Sequence, residues 1–383
     1  MSLRATPRRG VSYLAEMLPI RDQLLATLKR LVDLSGPSGS EQSVLREVLA
    51  LVRPLADTVE VDSLGNLVAT RRAADPGARR CLLAAHLDEV GFQVRSISED
   101  GLLRFEKLGG FDDRVLLAQR VWVQPEGGER LLGVIGCPSA HHRLSPGHLF
   151  AAHELAIDVG ARDADHAESM GIRPGDPAGL VGELTELGAG SGRYTGHALD
   201  DRAGCAALLC LLEQYRDTPP PATILALFTV QEEVGLRGAQ AASRALRAEV
   251  ALALDMTAAD DLPMAPGETS LRLGSGPAIK YFDASTLPHP AVRKGLRRAA
   301  ERIQLSSQAE ALGGIGTDAG ALQWTGAACP SGAVSVANRY THSPAEVLDL
   351  GDLVGMVQLL RAFLEDLPAL DLRFLGESHA AAG

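Results

Sequence analysis

Histidines and acids cluster where the chain leaves apolar runs. His86, Asp88 and Glu89 lie in "AHLDEVG", Asp200 and Asp201 in "ALDDRAG", Glu232 and Glu233 in "FTVQEEVGLRG", Asp255 in "LALDMT" and His342 in "NRYTHSPAE". Neutral imidazole and carboxylate oxygen form a ligand set that suits zinc, with cobalt or manganese as alternatives. Each residue alone has a plainer reading. His86 reads as a core histidine, Asp200 or Asp201 as a helix N-cap, and the Glu232–Glu233 pair as a solvated loop. Asp255 reads as a turn cap and His342 as a loop residue. Together they place five imidazole or acidic positions at strand ends and helix starts of one α/β unit, which points to a metal site. The two adjacent glutamates repel each other, and on a strand neighbours point to opposite faces. That pair suits a site where one acid binds a cation and the other handles protons.

The elements that must position these residues follow from periodicity. "ATILALFTV", "VALALDM" and "SGAVSVA" read as buried strands, and "CLLAAHLDEVGFQV" begins as one. Between them "DDRAGCAALLCLLEQY", "RGAQAASRALRA", "HPAVRKGLRRAAERIQL" and "DLVGMVQLLRAFLEDL" carry helical spacing. Alternation of this kind implies an α/β fold, a largely parallel sheet with helices on both faces. In such sheets ligands bind outside the carboxyl ends of the strands, where the clustered residues fall. Upstream, residues 21–35 and "SVLREVLALVRPLA" read as helices and "TVEVDSLGNLVATRR" as a hairpin. From residue 93 to 188 short alternating runs lie between Gly and Pro turns, which reads as an inserted, small β-rich domain. The expected organisation is an extension over 1–20, the α/β domain over 21–92 and 189–374, the insert over 93–188, and a loose tail over 375–383. "GAGSGRYTG", residues 188–196, reads as the linker returning from the insert.

Composition narrows the function classes. The chain has 383 residues, 46% hydrophobic and 22% charged, with a net charge of −11. That balance suits a globular protein and argues against nucleic acid or an anionic membrane surface as partner. No apolar run reaches the roughly 18–20 residues of a membrane span. The basic start lacks the apolar core of a secretory signal. The five cysteines are scattered and form no C-x-x-C pair, so they read as buried apolar residues. The cytoplasm is the expected compartment.

Six motifs, "AHLDEVG", "ALDDRAG", "QEEVGLRGA", "ALDMT", "GIGTDAG" and "RYTHSPAEV", resemble those of the di-zinc aminopeptidases of the tetrahedral (TET) type, also labelled glutamyl aminopeptidase and endoglucanase. "IDVGA" and "MGIRPGDP" resemble the inserted domain of that family, and the likeness runs from about residue 21 to about residue 365. The resemblance implies two divalent metal ions. His86 and Asp255 would bind one, Glu233 and His342 the other, and Asp200 would bridge them. Glu232 would be the general base, and Asp88 would orient His86. Thr317 and Asp318, in "GTDAG", would belong to the substrate-pocket wall. The implied insert is barrel-like or PDZ-like and mediates a homo-oligomer, a dimer or a hollow dodecamer. Peptides would be the substrates and N-terminal residues the products. Three departures stand out. Asp201 replaces the usual Asn, the first eighteen residues extend the usual start, and "GCPSAHHRLSPGH" (136–148) differs from the family wording. That last stretch reads as a mobile loop near the substrate entrance, with His141 as a candidate pocket residue. Two other readings of the residues stay open: a related two-metal deacylase or carboxypeptidase, and a non-catalytic metal-binding scaffold.

Overall fold

The computed structural model describes residues 10–374 except 138–140, 142–148, 264–266 and 268, with side chains from residue 19 onward. The expected tail, residues 1–9 of the expected extension and most of the 136–148 loop lie outside the described residues.

Four parallel strands form the centre of the larger sheet. In spatial order they are Thr223–Thr229, Arg80–His86, Val250–Ala258 and Ser331–Arg339. Alternate residues of each strand enter different cores, because successive side chains point to opposite faces. Cys81, Leu83 and Ala85 pack with the helices Gly10–Val32, Gln42–Val52, Leu199–Glu213 and Leu350–Asp366. Leu82, Ala84, Leu225 and Leu227 pack with Arg237–Ala245 and Ala319–Leu322. Helices cover both faces, so these strands read as continuous apolar runs. The same alternation carries His86 and Asp255 onto the face of Leu82, Ala84, Ala251 and Ala253, at the carboxyl ends of neighbouring strands.

The strands that flank the central four join them antiparallel, while Gln308–Ala311 runs parallel to its neighbour Ala278–Phe282. Leu67–Arg71 and Thr58–Val61 extend the sheet beyond Thr223–Thr229. Glu346–Asp349, Arg193–Gly196 and Thr185–Glu186 extend it beyond Ser331–Arg339, and Ala278–Phe282 with Gln308–Ala311 branch from that strand. Two sequence expectations change here. Arg193–Gly196, expected as linker, is a strand paired with Glu346–Asp349. The first helix begins at Gly10 and runs through Pro19, so part of the expected extension is helical.

The second unit is a closed barrel. Its strands, in order around the wall, are Gly91–Ile97, Leu103–Leu108, Ile157–Asp158, Leu131–Ile135, Arg120–Val123 and Pro177–Leu180. Phe92, Phe105, Val121, Val123, Ile135 and Ile157 fill it. Phe92 meets Phe105 edge to face at 4.9 Å and stacks on Phe111 at 5.0 Å.

One close approach fixes the segment that carries the two glutamates. Gly238, at the start of the helix Arg237–Ala245, donates its N–H to Val230 O at 3.0 Å. Asn66 bridges the same point, donating to Gly238 O at 3.0 Å and accepting from Val230 N at 3.1 Å. A Cβ on Gly238 would strike Val230 O, Asn66 Oδ1 and, at 2.7 Å, Val230 N. Backbone cannot yield as a flexible side chain can, so Gly238→Ala is expected to lower the unfolding free energy by about 1–3 kcal/mol. Urea titration checks this, and wild-type stability would show that the loop accommodates the methyl group.

Candidate metal centre

The Glu232–Glu233 turn lies where strand Thr223–Thr229 ends, beside the end of Arg80–His86, because Thr229 is in register with His86. Asp200 and Asp201 precede the regular part of helix Leu199–Glu213, since both depart from helical torsions. The expected N-cap is supplied by Asp201, whose Oδ1 accepts the Gly204 N–H at 2.9 Å. Its Oδ2 accepts the His86 N–H at 3.3 Å. Asp201 is thus occupied within the backbone, and Asp200 is left facing the histidines. Burial pushes the Asp201 carboxyl well above the usual carboxylate range, against the pull of His86.

Two groups of potential ligands share Asp200. His86, Asp200 and Asp255 form one, and Asp200, Glu233 and His342 the other, with the ligand atoms of each group within 4.8 Å of one another. His86 Nε2 lies 3.1 Å from Asp200 Oδ1. His342 Nε2 lies 3.6 Å from Asp200 Oδ2 and 3.2 Å from Glu233 Oε1. The other ring nitrogens settle the tautomers. His86 Nδ1 is 3.1 Å from Asp88 O and His342 Nδ1 is 2.7 Å from Gly110 O. A carbonyl oxygen only accepts, so each Nδ1 carries a hydrogen and each neutral Nε2 presents a lone pair. Those lone pairs face carboxylate oxygens, and Glu233 Oε1 is buried without a hydrogen-bond donor. Lone pairs that converge in this way require a cation between them. If protons were the only cations, both imidazoles would be held well above their usual pKa: burial opposes the charge, but Asp200 outweighs it, helped by Asp88 at His86 and by Glu233 at His342. The donor set of two imidazoles and three carboxylates therefore fits divalent metal.

Asp88 is fully buried and joins the two strand ends. Its carboxylate accepts from Glu232 N at 2.9 Å, Glu233 N at 3.2 Å and Ser38 Oγ at 2.6 Å, and lies 3.6 Å from His86 Nδ1. Burial would raise its pKa, but His86, Ser38 and the Glu232 N–H hold it below the usual range. At Glu232 burial prevails instead. It pushes that carboxyl well above its usual value, opposed by His86 and assisted by Asp255, Asp318 and Glu233.

A cavity of 480 Å³ opens on the cluster and is lined by His86, Asp200, Glu232, Glu233, Asp255 and His342. Gly314, Ile315 and Gly316 form part of its wall, whereas Thr317, Asp318 and His141 do not line it. Thr317 and Asp318 are buried behind the wall. Thr317 Oγ1 donates to Asp283 Oδ2 at 3.2 Å, and Asp318 Oδ2 accepts from Thr229 Oγ1 at 2.6 Å. His141 is exposed in a turn.

Sequence reasoning missed Glu346. It is buried, and its two carboxylate oxygens accept the backbone N–H of Asp200 at 3.0 Å and of His342 at 2.7 Å. One side chain thus ties together two segments 142 residues apart in the chain (342 minus 200). The only sequence signal was an acid four residues beyond His342. Glu346→Ala would leave both N–H groups without a partner, at a cost of about 2–4 kcal/mol. Guanidinium unfolding is expected to show that loss together with a fall in activity. A stable, fully active variant would mean that another acceptor replaces the carboxylate.

Comparison with known proteins agrees with this architecture. The profile of the M42 glutamyl aminopeptidase family matches residues 65–359. The lysyl aminopeptidase of Pyrococcus furiosus is 32% identical, across 90% of this chain and 97% of that protein. The glutamyl aminopeptidase of Lactococcus lactis is 31% identical, across 90% and 97%. Among solved structures, an aminopeptidase from the archaeon Desulfurococcus kamchatkensis superposes with a TM-score of 0.85 at 38% identity, covering 90% of this chain and 95% of that one. The Pyrococcus horikoshii TET1 peptidase, described as assembling into a tetrahedron or a large octahedral shell, gives 0.80 at 32% identity, covering 89% and 99%. With two strand-end histidines and a carboxylate cluster at the mouth of its cavity, the chain belongs to the M42 glutamyl aminopeptidase family and is a peptidase of the aminopeptidase class.

Proposed function

We propose that the enzyme removes N-terminal residues from peptides with two divalent cations, zinc or else cobalt or manganese. His86 and Asp255 would hold one ion, Glu233 and His342 the other, and Asp200 would be shared. The observation that carries this reading is the membership of Asp200 in both ligand groups, with one oxygen toward each histidine. Divalent ions bound there would lower the pKa of a water towards about 7 and polarise the scissile carbonyl.

The chain supplies the proton handling and the orientation. Glu232 takes the proton of the attacking water and returns it to the leaving amine nitrogen. It lines the same cavity as both ligand groups, within reach of a water held between them. Asp88 acts as a positioning residue, since one carboxylate holds the backbone of both glutamates and lies against His86. Glu346 fixes the Asp200 and His342 backbones from the other side.

Two measurements test the chemistry. Glu232→Gln keeps the shape but cannot accept the proton, so kcat on aminoacyl amides should fall about 10²–10⁴-fold with metal content unchanged. Turnover at the wild-type rate would remove Glu232 from the mechanism. Dialysis against a chelator should abolish activity, and zinc, cobalt or manganese should restore it. Activity that survives complete metal removal would sink the two-metal reading.

We further propose that the barrel is an inserted assembly domain and that the protein works as a cytoplasmic homo-oligomer, a dimer or a dodecamer. The P. horikoshii relative can assemble into a tetrahedron or a large octahedral shell, and among the described residues no helix is long and apolar enough to cross a membrane. Light scattering at micromolar concentration is expected to give a mass at least twice that of one chain; a monomer would contradict this.

A further inference from the structure

Apart from the ligand candidates and Glu232, the described lining of the cavity carries no charge. Outside the ligands and Glu232, its described lining consists of glycines and of Leu236, Met256, Thr257, Ala258, Ile315 and Thr341. The nearby buried charges are turned towards one another within the protein. Lys280, fully buried, has its Nζ 2.8 Å from Glu310 Oε1 and 3.3 Å from Asp283 Oδ2. Thr257 Oγ1 donates to that same Glu310 oxygen at 2.8 Å, so its hydroxyl is directed inward. Asp283 is also held by the N–H groups of Ser285 at 2.7 Å and Thr286 at 2.6 Å and by the Thr317 hydroxyl at 3.2 Å. Among the described residues no charged side chain besides the ligand candidates and Glu232 lines the cavity, and the charges of Lys280, Glu310 and Asp283 are turned to one another behind its wall.

We infer that this pocket selects neutral, apolar N-terminal residues of the leucine or methionine kind and discriminates against glutamate and lysine. The inference rests on the aminopeptidase reading above. It separates this chain from the specificities in the names of its relatives, one lysyl and one glutamyl. The physical reason is desolvation. A carboxylate or ammonium that enters a wall without an opposite charge gives up its hydration with nothing in return, whereas an apolar side chain gains by leaving water. The cavity's 480 Å³ lies within the range of about 300–1,000 Å³ usual for small-ligand sites.

The test compares kcat/KM of the metal-loaded enzyme on the p-nitroanilides of leucine, methionine, glutamate and lysine. Leucine and methionine should exceed both charged residues by at least about 10-fold. Glutamate or lysine equal to or better than leucine would overturn the inference. Ile315→Arg, which adds a cation to the wall, should raise the glutamate-to-leucine ratio at least about 10-fold; an unchanged ratio would show that Ile315 does not meet the side chain, and would count against the pocket as drawn. If no amide is cleaved, the proposed reaction is what fails. Calorimetric binding of L-leucine, L-glutamate and L-lysine to the same protein then decides the pocket by itself. Tighter binding of leucine supports it; equal or inverted order, or no binding of leucine, overturns it.

Discussion

The structure is organised around a crowd of buried carboxylates that cannot all be charged side by side without cations. Asp88, Asp200, Asp201, Glu233, Asp255 and Glu346 come from distant parts of the chain and meet at the carboxyl ends of parallel strands. Their mutual repulsion would cost several kcal/mol in a medium of low polarity. The fold divides the acids by task. Asp88, Asp201 and Glu346 are occupied by backbone N–H groups. Asp200 and Glu233 face imidazole lone pairs. The first set holds the segments in place, and the second is left as a cation trap.

That division explains why a parallel sheet suits the site. Parallel strands end on the same edge, so residues that follow strands far apart in sequence become neighbours without long loops. His86 and Asp255 are on one sheet face because each continues its strand's alternation. The glutamate turn needs more support, since it must leave the sheet abruptly. Gln231 and Leu236, on either side of it, take left-handed torsions of φ 55. Asn66, Gly238 and Asp88 hold that path with hydrogen bonds from three directions.

What could be read in the sequence follows the same physics. The four central strands were legible because burial on both faces makes them continuous apolar runs bounded by turns. The ligand candidates were legible because acids and histidines at the ends of such runs are conspicuous. Arg193–Gly196 was not, because a four-residue strand beside a glycine-rich stretch carries too little pattern to separate it from a linker. Ala278–Phe282 and Gln308–Ala311 escaped for a similar reason: Lys280 and Glu310 interrupt the apolar signal with charges that pair only in three dimensions. Glu346 was invisible as a site residue because its partners are backbone amides, which no side-chain pattern reveals. Asp201 looked like a departure that would add charge to the site, yet its carboxylate is taken up by Gly204 and His86 N–H groups.

The carbonyl that sets the His342 tautomer belongs to Gly110, in the chain segment just after the barrel strand Leu103–Leu108. One imidazole on the α/β unit therefore depends for its orientation on the other unit. Each unit has its own set of buried residues. The second ligand group draws on both, through the contact of His342 with Gly110. Ligation at His342 would thus be coupled to the packing of the two units, so a change beside Gly110 would reach the ligand group without touching any ligand.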